Sequence, residues 1–168
     1  MSEQLGRYIL NNVYCEECVE AMRGLPDACI DLVVTSPPYD NLRNYTGYAF
    51  DFEAVATELY RVMKPTGVVV WVVGDKIIKG DKTLTSFKQA LFFQSVGFKM
   101  HDVMIYRKKN TPFMRSNAYT NCYEFMFVLA KERVVTFNPL KTRSVRSGVE
   151  YLPSNKVWMG STKKWRAS

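Results

Sequence analysis

Two apolar runs, each the length of one strand, restrict the fold of this chain more than any other feature. Residues 29–35 (CIDLVVT) end in a nearly continuous apolar stretch, and residues 68–73 (VVVWVV) are apolar throughout and mostly branched. Such runs are typical of strands covered on both faces, and the second predicts the middle of a sheet. Residues 51–63 between them predict a helix, with Asp51 as its N-cap. The alternation predicts an α/β sheet with helices on both faces.

The remaining elements extend this alternation, except at the last two strands. No helix lies between these two strands, which predicts that they pair antiparallel. The predicted elements are a short strand at 7–14, helices at 15–25 and 84–98, strands at 101–108 and 123–131, and loops at 36–48, 74–83 and 110–121.

The loop after the first apolar strand opens with Thr35, Ser36, Pro37, Pro38 and Tyr39. Each proline fixes its own φ, lacks an N–H donor and keeps the preceding residue extended. Two backbone carbonyls can therefore point into a cleft, beside a serine hydroxyl and a flat aromatic ring. Active sites of open α/β sheets lie outside the carboxyl ends of the strands, where this loop begins. An ordinary strand-end turn is the alternative interpretation.

A corner of this kind suits a flat heterocycle that carries an exocyclic amine. The amine is a poor nucleophile because its lone pair is delocalised into the ring. Two acceptors that hold its hydrogens can orient the lone pair, so the reaction needs positioning and electrostatics rather than a covalent intermediate. A base within a duplex has to be flipped out to reach such a site.

The net charge of +7 is unevenly distributed along the 168 residues. Residues 1–100 carry a net charge of −2 and residues 101–168 a net charge of +9. A basic second part indicates a polyanionic partner, with a solvated basic surface as the alternative.

The cysteines and the hydropathy of the sequence argue against a metal site, disulfides, a membrane-spanning helix and a secretory signal. Cys15 and Cys18 form a lone C-x-x-C without a second pair, and the single histidine, His101, is far away in sequence, so we predict no metal site. No disulfide is expected in a reducing compartment. No apolar run approaches the roughly 20 residues of a membrane helix, and the first residues do not resemble a secretory signal. We therefore expect a cytoplasmic protein without a membrane partner.

The motif VTSPPY at 34–39 resembles the catalytic motif of DNA amino-methyltransferases that modify cytosine at N(4) or adenine at N(6). The resemblance continues through residues 8–131, in LPDACIDLVVTSPPYDN, LYRVMKPTGVVVWVVGD, SVGFKMHDVMIYRKKN and NCYEFMFVLAK. It implies a Rossmann-like fold, S-adenosylmethionine as cofactor, double-stranded DNA as partner, and a role in restriction–modification or phage self-marking. The form with serine favours cytosine, and adenine stays open.

The resemblance also implies roles for single residues. Ser36 and the Pro37 carbonyl would bind the amine, Pro38 would keep the corner rigid, and Tyr39 would stack on the base. Glu17 stands where the family often carries an acid that approaches the cofactor, and it could equally be an acid in the first turn of a helix. Cofactor contacts are expected from three residues, Glu17, Thr35 and Ser36.

DNA contacts are expected from the basic part of the chain. The candidates are Arg43, Arg107, Lys108, Lys109 and Arg115, and a charged loop that ends a strand is the alternative for 107–110. We predict a catalytic half-domain at 1–131 and a basic recognition or tail segment at 132–168.

One family feature is missing from these residues. The cofactor loop of the family is glycine-rich and comes last in the order that begins with SPPY, but no two of the nine glycines here are adjacent or one residue apart. Three explanations stay open: a partner chain or homodimer supplies the loop, the product is truncated, or the chain is a non-catalytic half-domain that binds DNA or completes a partner. Methylation of RNA or of a glutamine amide is a further alternative.

Overall fold

The computed structural model describes residues 3–38, 50–109, 116, 119–139, 156–158 and 165–167. The chain divides into two compact units, Met1–Thr136 and Phe137–Ser168. The assignment of 132–168 to recognition stays a prediction.

The described elements alternate between strands and helices in the first unit. None of the described helices is long and apolar enough to cross a membrane. In chain order the elements are β1 (Gln4–Leu5), β2 (Tyr8–Ile9), α1 (Cys18–Arg23), β3 (Ile30–Thr35), α2 (Phe52–Val62), β4 (Met63–Val73), β5 (Ile77–Ile78), β6 (Asp81–Lys82), α3 (Thr85–Val96), β7 (Lys99–Arg107), β8 (Tyr123–Ala130), β9 (Lys156–Trp158) and β10 (Trp165–Ala167).

The main sheet has four strands in the order β3-β4-β8-β7. β3 and β4 are parallel, whereas β8 is antiparallel to both of its neighbours, β4 and β7. The carboxyl ends of β3, β4 and β7 therefore meet at one edge of the sheet, which we call the carboxyl edge. The predicted α/β sheet, the central place of 68–73 and the antiparallel pairing of the last two long strands are confirmed.

Several local predictions were wrong. The strand predicted at 7–14 is a small hairpin, β1–β2, and the loop predicted at 74–83 contains a second hairpin, β5–β6. The strand predicted to begin at Val68 begins at Met63, directly after α2, because Met63 pairs with Ile30. The register then shifts before Leu32 pairs with Val68, and Pro65 occupies this irregular stretch, where a strand tolerates the loss of an N–H donor.

The core of the first unit lies on one face of the sheet. Alternate residues of β4, namely Val69, Trp71 and Val73, are at most 1% exposed and pack against all three described helices. On the opposite face, Leu32 and Val34 of β3 are 59% and 64% exposed. Within the described part of the chain, helices thus cover one face rather than the two predicted.

Gly97 ends α3 at a point where a side chain is excluded. Its φ is +120°, and an added Cβ would lie 2.9 Å from ring atoms of Tyr60. We expect Gly97→Ala to lower the free energy of unfolding by about 1–3 kcal/mol, through backbone strain and overpacking. Gly80→Ala is the matched control, since Gly80 also has a positive φ but no atom within 4 Å of the added Cβ. Urea titrations should show the larger loss for Gly97; equal losses would mean that the Tyr60 contact is irrelevant.

Candidate active site

The predicted corner lies at the carboxyl edge, directly after β3. Thr35 is the last residue of the strand and is half-buried, Ser36 is exposed, Pro37 is buried and Pro38 is half-buried. The structure therefore brings the predicted hydroxyls and the proline pair together on one short segment. Tyr39 lies outside the described residues, and its predicted stacking role stays a prediction.

A cavity of about 460 Å³ opens beside this corner. Its volume falls within the range of small-molecule sites, which is about 300–1,000 Å³. The lining combines the corner with apolar side chains from β3, β4, α1 and α2. The lining residues are Cys18, Met22, Val33, Thr35, Ser36, Pro37, Pro38, Phe50, Val55, Leu59 and Trp71.

Trp71 forms a fixed wall of the cavity. Its indole Nε1 donates a 2.8 Å hydrogen bond to Oε1 of Gln89, which is itself buried. Phe93 meets the indole edge to face with ring centroids 5.0 Å apart, and Phe50 lies on another side at 6.4 Å. Because the hydrogen bond and the aromatic packing fix its orientation, Trp71 offers a rigid apolar surface next to the hydroxyls of the corner.

Arg61 holds the helical side of the cavity together. From α2 it donates to the carbonyls of Met22 and Leu25, at 2.7 and 2.9 Å, and so binds the end of α1 and the turn after it. It also pairs with Glu58 at 2.7 Å and with Asp27 at 2.6 Å. Hydrogen bonds with Glu58 and Asp27 raise the pKa of the guanidinium above its usual value. Arg61 thus bonds the backbone of Met22, a residue that lines the cavity.

Glu17 occupies the position of a helix cap. Its carboxylate accepts the backbone N–H of Glu20 at 2.9 Å and so caps α1. That hydrogen bond is the main cause of a lowered pKa for Glu17. The adjacent Cys18 lines the cavity, whereas Glu17 is not one of the described residues that line it. The cap accounts for this acid, and its predicted cofactor contact stays a prediction.

The candidate DNA-binding residues that the structure describes lie where β7 reaches the carboxyl edge. Arg107 ends the strand and Lys109 follows it, both exposed. Lys108 lies between them and pairs with Glu124 at 2.5 Å, so its charge is partly compensated. Arg43 and Arg115 lie outside the described residues.

The predictions did not identify the apolar walls of the cavity. Trp71 was recognisable only as a residue of a central strand, and Val55 and Leu59 only as the apolar face of a helix. The usable signal is the geometry of a strand, in which every second residue shares a face, so Val69, Trp71 and Val73 lie on one side of β4. It does not indicate which helix covers that face or where a gap is left.

Comparisons with known proteins agree with this geometry. The sequence model of a family described as DNA methylase matches residues 30–165. The orphan methyltransferase M.BamHII of Bacillus amyloliquefaciens is 56% identical over 117 residues, which are 70% of this chain and 44% of that protein. The type II methyltransferase M.MthZI of Methanothermobacter thermautotrophicus is 30% identical over 77% of this chain and 47% of its own length. The chain thus spans about half the length of these relatives.

Solved structures share the fold. The cytosine-N4-specific PvuII DNA methyltransferase matches with a TM-score of 0.58 at 18% identity, over 72% of this chain and 49% of that one. The M1.HpyAVI–SAM complex matches with a TM-score of 0.52 at 19% identity, over 75% and 56% of the two chains. The described sheet therefore corresponds to part of a larger methyltransferase fold.

Proposed function

This chain belongs to the DNA methylase family, and from that premise we propose that it forms the catalytic half of a DNA amino-methyltransferase. In this reaction the methyl group of the S-adenosylmethionine sulfonium forms a bond to N(4) of cytosine or N(6) of adenine, the methyl–sulfur bond breaks to leave a thioether, and the nitrogen loses one proton to water. The observation that carries the proposal is the cavity at the carboxyl edge, which Ser36, Pro37 and Pro38 line together with Trp71. Its relatives, an orphan and a type II methyltransferase, suggest a place in DNA modification, and a cytoplasmic location is part of the same proposal.

In this proposal the corner holds the amine and the cavity holds the ring. Ser36 Oγ and the carbonyl oxygen of Pro37 accept hydrogen bonds from the two N–H groups of the amine. These two hydrogen bonds orient the nitrogen lone pair. Pro38 keeps the backbone extended, so the acceptors need no reorganisation during the reaction. The lining from Val33 and Phe50, backed by the almost fully buried Trp71, takes the flat base once it has left the duplex.

The methyl donor in this proposal is S-adenosylmethionine, which supplies an electrophilic methyl group when bound. The residues present fit only part of such a ligand. Thr35 and Ser36 offer hydroxyls at one end of a mostly apolar cavity, while the Glu17 carboxylate caps α1. A glycine-rich turn that would let the backbone approach the cofactor is not among the 168 residues.

We infer that a complementary segment of the methyltransferase fold supplies the missing turn, either linked to this chain or as a separate polypeptide. β3 is an edge strand of the described sheet, and its side chains Leu32 and Val34 are exposed on one face. An open apolar edge of this kind favours pairing with a further strand. A second copy of this chain would bring the same nine glycines and no turn, so a homodimer does not meet the need.

The alternative function is a half-domain that binds DNA or completes a partner without catalysis. The missing glycine-rich turn favours it, and the intact Ser36–Pro38 corner favours the enzyme.

The deciding experiment is calorimetry of S-adenosylmethionine with the 168-residue chain, with and without DNA. We expect no micromolar binding by the chain alone. Adding the part of M.BamHII that this chain does not cover should restore binding and transfer of a labelled methyl group to DNA. Binding by the chain alone would show that it completes its own cofactor site. Binding of DNA without methyl transfer in any mixture would favour the non-catalytic alternative.

A further inference from the structure

The hairpin β5–β6 stands at the carboxyl edge next to the candidate active site. It follows β4, whose residue Trp71 lines the cavity and pairs in register with Thr35 of the corner. Ile77 lies six positions after Trp71, so the hairpin begins within about 20 Å of the cavity wall even if the intervening chain is fully extended. That distance corresponds to about six base steps at ~3.4 Å each.

The hairpin is closed at its base and narrow at its tip. At the base, Thr83 N–H donates to the Lys76 carbonyl at 3.0 Å, and Lys76 N–H donates to Thr83 Oγ1 at 3.1 Å. Ile78 pairs with Asp81, which leaves only Lys79 and Gly80 in the turn. The hairpin therefore presents its tip on a defined scaffold.

The tip places a lysine in a conformation that lysine rarely adopts. Lys79 has a φ of +51° and Gly80 a φ of +89°, as in the two-residue turns that fit the twist of a hairpin. Asparagine or glycine would adopt the first position with less strain. No atom lies within 4 Å of a Cβ added at Gly80, so the tip is open to solvent. Strain of this kind clusters at functional sites, which points to a role for the exposed ammonium group.

The cations near the hairpin differ from two of those at the opposite edge of the sheet. There, Arg61 and Lys64 are neutralised in ion pairs with Asp27 and Asp31, whereas Lys99 and Arg133 are exposed and form no ion pair with the residues that the structure describes. At the carboxyl edge, four exposed cations form no ion pair with the residues that the structure describes. They are Lys79, Lys82, Arg107 and Lys109.

An aromatic ring connects the hairpin with the end of β7. Lys82 Nζ lies 5.8 Å from the ring centroid of Tyr123, and Tyr123 pairs in register with Arg107. The hairpin cations and the β7 cations thus belong to one basic strip that runs along the carboxyl edge. A strip of exposed cations beside the cavity matches the spaced negative charges of a nucleic-acid backbone.

We propose that the β5–β6 hairpin is a DNA-contacting element, in which Lys79 and Lys82 bind backbone phosphates next to the nucleotide in the cavity. This inference rests on the proposed function and extends the DNA-binding surface beyond the basic second part of the sequence. Phosphate contacts fix the position of the duplex without reading its sequence. The hairpin therefore positions DNA at the corner and leaves base recognition to other residues.

The test compares two double variants with equal loss of charge. The first is Lys79→Asn with Lys82→Gln, in which asparagine suits the positive φ and preserves the turn. The matched control is Lys99→Gln with Arg133→Gln, two exposed cations at the opposite edge of the sheet. The affinity of each chain for double-stranded DNA is measured by fluorescence anisotropy between about 50 and 200 mM salt. Far-UV circular dichroism and urea midpoints verify that each variant is folded.

We expect the hairpin variant to reduce the slope of log K against log [salt] by about 2, close to 1 for each lysine, and to weaken binding at every DNA sequence tested. The control should keep the slope of the unmodified chain. Equal slopes for the two variants would overturn the hairpin assignment and leave the proposed function intact. If the unmodified chain itself shows no salt-dependent binding of DNA, both the hairpin assignment and the proposed function would be overturned.

Discussion

Replacing Ser36 by alanine should lower kcat for methyl transfer on the order of 100-fold while leaving DNA affinity nearly unchanged. Groups preorganised around a reacting centre contribute about 10²–10³ in rate when one of them is removed. A 100-fold loss corresponds to about 2.7 kcal/mol in the activation free energy. Ser36 is exposed beside the buried Pro37, so its hydroxyl is accessible to an incoming amine. The loss should fall on kcat because the hydroxyl orients the amine and does not hold the DNA backbone.

The measurement is steady-state transfer of a labelled methyl group at saturating DNA and cofactor, with the chain complemented as described for the calorimetric experiment. Ser95→Ala is the matched control, since Ser95 is exposed on α3 and its hydroxyl donates only to the Phe92 carbonyl of its own helix, at 2.7 Å. We expect the control to retain full activity. A Ser36→Ala variant whose kcat stays within threefold of the control would remove Ser36 from the catalytic corner.

The long strands and the corner could be predicted from sequence because their residues leave few alternatives. VVVWVV is short, apolar throughout and mostly branched, as expected of a strand in the middle of a sheet, and β4 lies there between β3 and β8. Two consecutive prolines after β3 prevent a helical turn and also prevent a regular continuation of the strand. Local sequence and tertiary context agree at these positions, so the strands and the position of the corner after β3 could be predicted, while the catalytic role of the corner stays a prediction.

The hairpin β5–β6 could not be predicted for the opposite reason. Each of its strands has two residues, which is too short to show a period of two. Its turn is Lys79-Gly80, whereas the recognisable hairpin dipeptides are Asn-Gly and Asp-Gly. The two hydrogen bonds between Lys76 and Thr83 that close its base join residues seven positions apart and leave no local pattern.

The shape of the cavity depends on contacts between residues that are distant in sequence. Arg61 reads as a charged residue in the last turn of a helix, yet it binds carbonyls at Met22 and Leu25, more than 35 positions earlier. Gln89 reads as a polar helix residue, yet it is buried against Trp71. Such partners depend on how α1, α2 and α3 pack on the sheet, which the period of a single helix does not specify.

The second large effect is expected at Trp71. Replacing it by alanine should lower the free energy of unfolding by about 3–5 kcal/mol, because the site is 1% exposed and lies within the aromatic cluster. That loss is a large share of the roughly 5–15 kcal/mol that stabilises an ordinary domain. Phe87→Ala is the control, since Phe87 is a 50% exposed aromatic on α3 and should cost far less. Urea unfolding followed by far-UV circular dichroism measures both, and similar losses would contradict the central place of Trp71.

A double-mutant cycle separates the hydrogen bond of Trp71 from its packing. Trp71→Phe leaves Oε1 of the buried Gln89 without its donor, and Gln89→Leu leaves the indole N–H without its acceptor, so each should cost about 1–3 kcal/mol. The double variant leaves neither group unpaired, and its cost should be smaller than the sum by about 0.5–3 kcal/mol. Strictly additive losses would mean that water replaces the missing partner and that the wall of the cavity is held by aromatic packing alone.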